Sequence, residues 1–159
     1  MNCSFNMDNK DLRIIECLRE HGRWSIQKIA RQTRIPITTV YHRMKRLEKE
    51  RVIQRYSVQL DYIKMGLPLA AYVLMTVDYK GLKQINLTQY DLIKKLLEEK
   101  EVESCSMVTG GTDIILKMRV ANVDELNEFI TVKLRNVDGI EKTQTMIILN
   151  EVEKHSLNR

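Results

Sequence analysis

Residues 25–47, SIQKIARQTRIPITTVYHRMKRL, constrain this chain more than any other stretch. Two short helical patterns meet at a break, Ile35-Pro36. Proline carries no N–H and pushes the residue before it away from helical geometry, so one continuous helix cannot pass this point. What remains is a helix, a tight turn and a second helix. Pro36 sits at or just inside the start of that second helix, where a missing N–H costs little. Val40, Met44 and Leu47 recur at i, i+4 and i+7 and form its buried face. Its other face carries Thr38, Thr39, His42, Arg43, Lys45 and Arg46.

The segments on either side complete a small unit. Asp8 is a good N-cap, and Asp11 lies in the first turn, where its charge suits the helix dipole. Leu12, Ile15 and Leu18, with Ile14, give the first helix an apolar face, and Gly22 marks its end. Ser25 caps the second helix, which turns Ile26, Ile29 and Ala30 inward. These three helices share one core. After Glu50-Arg51 the period changes from 3.6 to 2: Tyr56, Val58 and Leu60 alternate with Arg55, Ser57 and Gln59. That pattern predicts an edge strand, a wing. Gly66-Leu67-Pro68 punctuates the chain, so the boundary is placed between residues 1–66 and 67–159.

A short helix with hydroxyls in its first turn and cations beyond can enter a DNA major groove. Arginine can pair with guanine, and threonine can meet a phosphate, a base edge or a thymine methyl. Thr38, Thr39, His42, Arg43 and Arg46 are placed on the outward face, with Tyr41 flanking it. Ser25, Gln27, Lys45, Arg51 and Arg55 complete the candidate DNA contacts. A plain solvated cationic helix is the competing reading. Charge favours the first: residues 1–60 hold 13 Lys and Arg against 6 Asp and Glu, a net +7. Residues 61–159 hold 13 against 15, a net −2, so only the first module is suited to a polyanion.

The second module alternates strands and helices. Leu69–Tyr79 is a long apolar run that suits a central strand covered on both faces. Gly81 to Leu87 is expected as a loop. Thr88 and Asp91 start a helix with Leu92, Ile93, Leu96 and Leu97 on one face. Val102–Thr109 is a strand, broken by Gly110-Gly111. Ile114, Leu116, Met118 and Val120 mark a third strand. A helix follows from Asn122, through Leu126, Phe129, Ile130, Leu134 and Val137, to Gly139. Ile140–Glu153 holds the last strand, centred on Met146–Leu149. The order β-α-β-β-α-β is that of a ferredoxin-like unit, so the fold class is α+β. An apolar sheet face left open predicts pairing with a second copy, and a dimer suits a palindromic DNA site.

No run of about 18 apolar residues spans a membrane, and the N-terminus lacks the apolar core of a signal peptide. Cys3, Cys17 and Cys105 are scattered with no CxxC pair, as expected of reduced thiols in the cytoplasm. No metal ligand spacing, phosphate-binding glycine motif or nucleophile-base pair is present. Two of the three histidines, His21 and His42, lie in the first module, and His155 lies near the C-terminus. No enzyme activity and no cofactor is expected.

Three stretches in order resemble one family, and together they are specific. They are DNKDLRIIECLREHGRWSIQKIA, then ITTVYHRMKRLEKERVIQRYSVQLD followed by Gly66, then VTGGTDIILKMRV followed by DELNEF. The chain is similar to the Lrp/AsnC, or feast/famine, regulators over residues 7–154, and to the archaeal members in particular. The resemblance implies an N-terminal winged helix-turn-helix and a C-terminal ligand-sensing domain. It implies dimers that assemble into tetramers or octamers, and transcription control by a small effector, commonly an amino acid. It carries the recognition helix onto Thr38 to Arg46 and the effector site onto Thr109, Gly110, Gly111, Thr112 and Asp113. Glycines there would let a ligand meet backbone N–H groups, and Asp113 would hold an ammonium. An ordinary hairpin turn is the other reading of those five residues. Three positions depart from the family: Pro36 replaces a capping serine, Arg51 a C-capping glycine, and Gly111-Thr112 an acidic-aromatic pair. An architectural, chromatin-like DNA binder is the first alternative function. A sirohaem decarboxylase, the activity of one Lrp-like branch, is the second.

Overall fold

A computed structural model describes residues 6–151. Cys3, His155 and the Val152-Glu153 end of the expected last strand lie outside them. The chain forms two compact units that divide between Leu60 and Asp61.

The first unit holds α1 (Asn9–Glu20), α2 (Ile26–Thr33) and α3 (Ile37–Lys49). Asp8 and Asp11 form a reciprocal capping box at the start of α1. The Ser25 hydroxyl accepts from the Lys28 N–H at the start of α2. The Pro36 N-cap gives α3 no side-chain bond, and Val40 N–H closes the first turn on the Pro36 carbonyl at 3.0 Å. Ile14, Ile29, Ile35 and Val40 are buried in one cluster, with Leu18, Trp24, Ile26 and Met44 packed around it. Burying four such side chains contributes roughly 1.5–3 kcal/mol each against exposure.

The expected wing is not a strand. Residues 54–61 have no ladder, and Tyr56, Val58 and Leu60 are exposed. Alternation specifies an extended chain with two different faces, whereas a strand also needs a neighbour for its N–H and C=O groups. None of the described residues provides one here.

The second unit is β1 (Leu69–Val77), α4 (Tyr79–Gln84), α5 (Gln89–Leu97), β2 (Val102–Met107), β3 (Ile114–Val120), α6 (Val123–Glu128) and β4 (Ile140–Ile147). All pairings are antiparallel, in the order β2-β3-β1-β4. This is the ferredoxin-like α+β arrangement, with the helices on one sheet face. Ala71, Val73, Met75 and Val77 of β1 alternate with Ile114, Leu116, Met118 and Val120 of β3 in facing the core. Leu92, Leu96, Leu126 and Phe129 cover them from the helices.

Four details differ from expectation. Tyr79–Gln84 is helical rather than a loop, because Asp78 caps it through the Lys80 and Gly81 N–H groups and Leu82 is buried beneath. The helix after Asn122 widens into a π turn over Phe129–Lys133 and tightens to a 3-10 turn at Leu134–Asn136. β4 ends at Ile147, so its centre lies before Met146. The β1 face opposite the helices is only half-buried at Tyr72, Leu74 and Thr76, not covered.

Candidate nucleic-acid interface and effector turn

The α3 sequence separates two faces. Val40 and Leu47 have no exposed surface, so the helix is locked in rotation about its axis. Thr38 and His42 therefore project outward, and Thr39 is half-buried beside them. Tyr41 is 46% exposed and meets His42 edge to face, ring centroids 5.4 Å apart. Lys45 is exposed and pairs loosely with Glu48 at 3.3 Å. Pro36 gives the first turn of α3 no side-chain cap, and the positive end of the helix dipole lies there.

Arg43 does not project as expected, and Arg46, although exposed, also turns to an acidic partner. The Arg43 guanidinium donates to Asp8 Oδ1 at 2.6 Å and to Asp11 Oδ1 at 2.8 Å. Arg46 donates to Asp11 Oδ2 at 2.5 Å. Asp11 is fully buried, and the Arg43 side chain keeps only 21% of its exposure. The Asp11 backbone N–H and the Arg43 guanidinium hold the Asp8 carboxyl below its usual range, and the two carboxylates push Arg43 up. Arg43 thus ties α3 to the start of α1. These partners lie 32 and 35 residues apart in sequence, which local periodicity could not reveal.

The remaining candidates surround the helix. Ser25 and Gln27 are exposed at the start of α2, and Arg55 is exposed beyond α3. Arg51 has φ 55°, in the left-handed region where glycine is easiest. Lys28, absent from the sequence reading, lies 4.3 Å over the Trp24 ring, and His21 stacks on that ring at 3.7 Å. Trp24 was the available signal, since the face of an aromatic ring attracts a nearby cation.

In the second unit, Thr109, Gly110 and Gly111 are exposed between β2 and β3, and Thr112 and Asp113 are half-buried. Gly110 has φ 121°, and a Cβ at either glycine would meet nothing within 4 Å. Open space lies against this backbone. The Asp113 carboxylate accepts from Val77 N–H and Tyr79 O–H, each at 2.9 Å, while its own N–H donates to the Met75 carbonyl. Gln89 donates to the Asp113 carbonyl at 3.2 Å. The Asp113 bond raises the Tyr79 phenol above its usual range. Asp113 therefore latches the turn to the end of β1, and Tyr79 and Gln89, which the sequence pattern did not single out, join the candidate site.

Among the described residues no cluster of three metal-ligating side chains occurs, and no helix is long and apolar enough to cross a membrane.

Two family profiles match this chain. One, described as a winged helix-turn-helix DNA-binding domain, matches residues 7–54. The other, described as an Lrp/AsnC ligand binding domain, matches residues 71–157. An uncharacterized HTH-type transcriptional regulator of Pyrococcus furiosus is 32% identical over 141 residues, covering 89% of this chain and 91% of the relative. Among solved structures, a transcriptional regulator of Neisseria meningitidis in complex with L-Met aligns with TM-score 0.83 and 22% identity, covering 93% of each chain. A feast or famine regulatory protein of M. tuberculosis, complexed with L-methionine, aligns with TM-score 0.81 and 28% identity, covering 94% of this chain and 96% of that one.

Proposed function

The chain belongs to the Lrp/AsnC family of transcriptional regulators, and from that premise we propose how it acts: α3 reads a palindromic DNA site under control of an amino-acid effector bound at residues 109–113. One observation carries the DNA half. The buried side of α3 fixes its rotation, and the side turned outward carries hydroxyl, imidazole and ammonium groups. Thr38, His42 and Lys45 are the base and phosphate contacts, with Thr39 and Tyr41 beside them. Ser25, Gln27, Arg51 and Arg55 meet the flanking backbone, and the uncapped N–H groups of the first α3 turn suit a phosphate. Arg43 serves by positioning the helix through Asp8 and Asp11, and Arg46 shares that anchor.

The effector reading rests on open backbone at Gly110 and Gly111 beside a carboxylate that is already oriented. The M. tuberculosis regulator holding L-methionine points to the amino-acid class. An α-carboxylate would take the turn's N–H groups, and the ammonium would approach Asp113. The half-buried sheet face supplies the dimer contact. Ile115, Leu74 and Gln144 form one row across β3, β1 and β4, and Lys117, Tyr72 and Met146 the next. Two copies facing each other there would cover this surface, and further association would give tetramers or octamers. The protein would then act on DNA in the cytoplasm.

The test is selection of bound duplexes from a random library, with and without a panel of amino acids. The expected result is a symmetric site bound at least a thousandfold tighter than random DNA at physiological salt. A ratio near one supports the architectural reading instead. Gly111→Ala fits without contact, so the fold should persist. It should weaken the response to the selected amino acid by tenfold or more if a ligand meets that backbone. An unchanged response removes the turn from the site.

A further inference from the structure

Six described residues outside the ordinary backbone regions have positive φ. Four lie in the second unit, and all four are residue types suited to it: Gly66, Asn86, Gly110 and Gly139. The other two lie in the first unit, and both are arginine: Arg34 at φ 52° and Arg51 at φ 55°. Left-handed geometry brings Cβ against the backbone in any residue but glycine, and asparagine tolerates it best among the rest. The second unit meets this constraint with glycine and asparagine, whereas the first unit does not.

The placement of these two residues is as particular as their geometry. Arg34 is the C-cap of α2, two residues before Pro36 begins α3. Arg51 follows Glu50, the C-cap of α3. They bracket α3 at its two ends, and both are exposed. Neither side chain has a hydrogen bond or ion pair with a described residue, in contrast to Arg43 and Arg46 inside the helix. Thirteen residues of α3 span about 20 Å, more than the roughly 12 Å width of a major groove. A helix of this length seated in the groove would bring cations at its two ends near the bordering phosphates, with its middle near base edges.

We infer that Arg34 and Arg51 are a pair of phosphate clamps, in which the chain retains strained arginines for their charge. This inference rests on the reading of α3 as the DNA-binding helix, and it adds Arg34 as a contact. Phosphate contacts fix register without reading sequence. Their loss must therefore weaken selected and random duplexes by the same factor, and must lower the dependence on salt.

The experiment compares wild type with Arg34→Gly, Arg51→Gly and Arg34→Lys in the full chain. The probes are a random 30-base-pair duplex and the selected duplex, titrated at several salt concentrations. Thermal unfolding followed by tryptophan fluorescence, from the chain's one tryptophan, reports the fold of the first unit. Each glycine variant should unfold at a higher temperature yet bind both duplexes several-fold more weakly, with the salt slope reduced by about one. Arg34→Lys keeps charge and backbone strain and should keep the wild-type slope. Glycine variants that gain stability with unchanged affinity and slope overturn the inference. So does an Arg34→Lys variant that loses as much slope as Arg34→Gly. A wild-type chain that binds neither duplex overturns the DNA-binding reading itself, and is seen before any variant is measured.

Discussion

Replacing Asp11 by Asn tests whether α3 is held in place by charge. Asp11 is fully buried, and its two carboxylate oxygens serve three donors. Oδ1 accepts from Arg43 at 2.8 Å. Oδ2 accepts from Arg46 at 2.5 Å and from the Asp8 N–H at 3.1 Å. Asparagine keeps the shape and one acceptor oxygen but puts an NH2 where either Arg46 and Asp8 or Arg43 donate. Donor then faces donor, and both guanidiniums lose the Asp11 charge, although Arg43 keeps its pair with Asp8. Breaking a fully buried pair costs about 3–5 kcal/mol. Both arginines still reach water, Arg46 at 45% side-chain exposure, so we expect about 2–3 kcal/mol here. A unit of this length has a total stability of only about 3–9 kcal/mol. Its midpoint should therefore fall by about 10–20 °C.

Trp24 is the single tryptophan and lies in this unit, so its fluorescence in urea follows the unit separately from the sheet domain. Asp11→Asn, Arg43→Met and the double variant form a cycle. Methionine retains much of the apolar stem of Arg43, which limits the packing lost. A coupling of about 1–2 kcal/mol is expected, since contacting groups rarely add independently. An Asp11→Asn protein within about 0.5 kcal/mol of wild type, or a cycle with no coupling, refutes the anchor. Arg43 would then be available to DNA as a direct contact.

Two further outcomes follow from particular contacts. Burial and a 2.9 Å bond to Glu48 raise the Tyr56 phenol to about 12. A folded pKa above the unfolded one means stability is complete below about pH 10 and is lost as pH rises toward 12. Tyr56→Phe should flatten the alkaline side of the stability profile between those limits, and a profile identical to wild type would discard the bond. Leu74→Asp places a charge in the half-buried row between Ile115 and Gln144, so sedimentation should show monomers; an unchanged oligomer rules out that sheet face.

The parts of the fold that rest on local chemistry were legible in the sequence. The Asp8–Asp11 capping box, the Ser25 cap and the Val40–Leu47 stripe each need only neighbours in sequence, and each formed. The β3 alternation was equally direct, because its buried and half-buried residues strictly interleave. The failures share a different cause. Tyr56–Leu60 has the period of a strand, but pairing depends on a second strand that its own residues cannot encode. Gly81 suggested a loop, while the Asp78 cap and the burial of Leu82 against Gly139 decided for a helix. At the candidate sites, residue type pointed to α3 and the glycine turn. It could not show that Asp8 and Asp11 would claim Arg43, or that Tyr79 would hold Asp113 from 34 residues away.

These long-range pairs change what the basic charge of the first unit means. The net +7 of residues 1–60 includes Arg43 and Arg46 in the middle of α3. Asp8 and Asp11 balance much of that central charge, and Lys45 is partly matched by Glu48. Arg34 and Arg51, at the helix ends, have no such acidic partner among the described residues. Of the cations compared, those with no acidic partner among the described residues therefore lie at the ends of α3 rather than along its centre. Phosphates border a groove and bases floor it, so this distribution matches the target better than a uniformly basic helix would. The hydrogen-bonding groups of Thr38 and His42 occupy the span between, where discrimination among base pairs is possible.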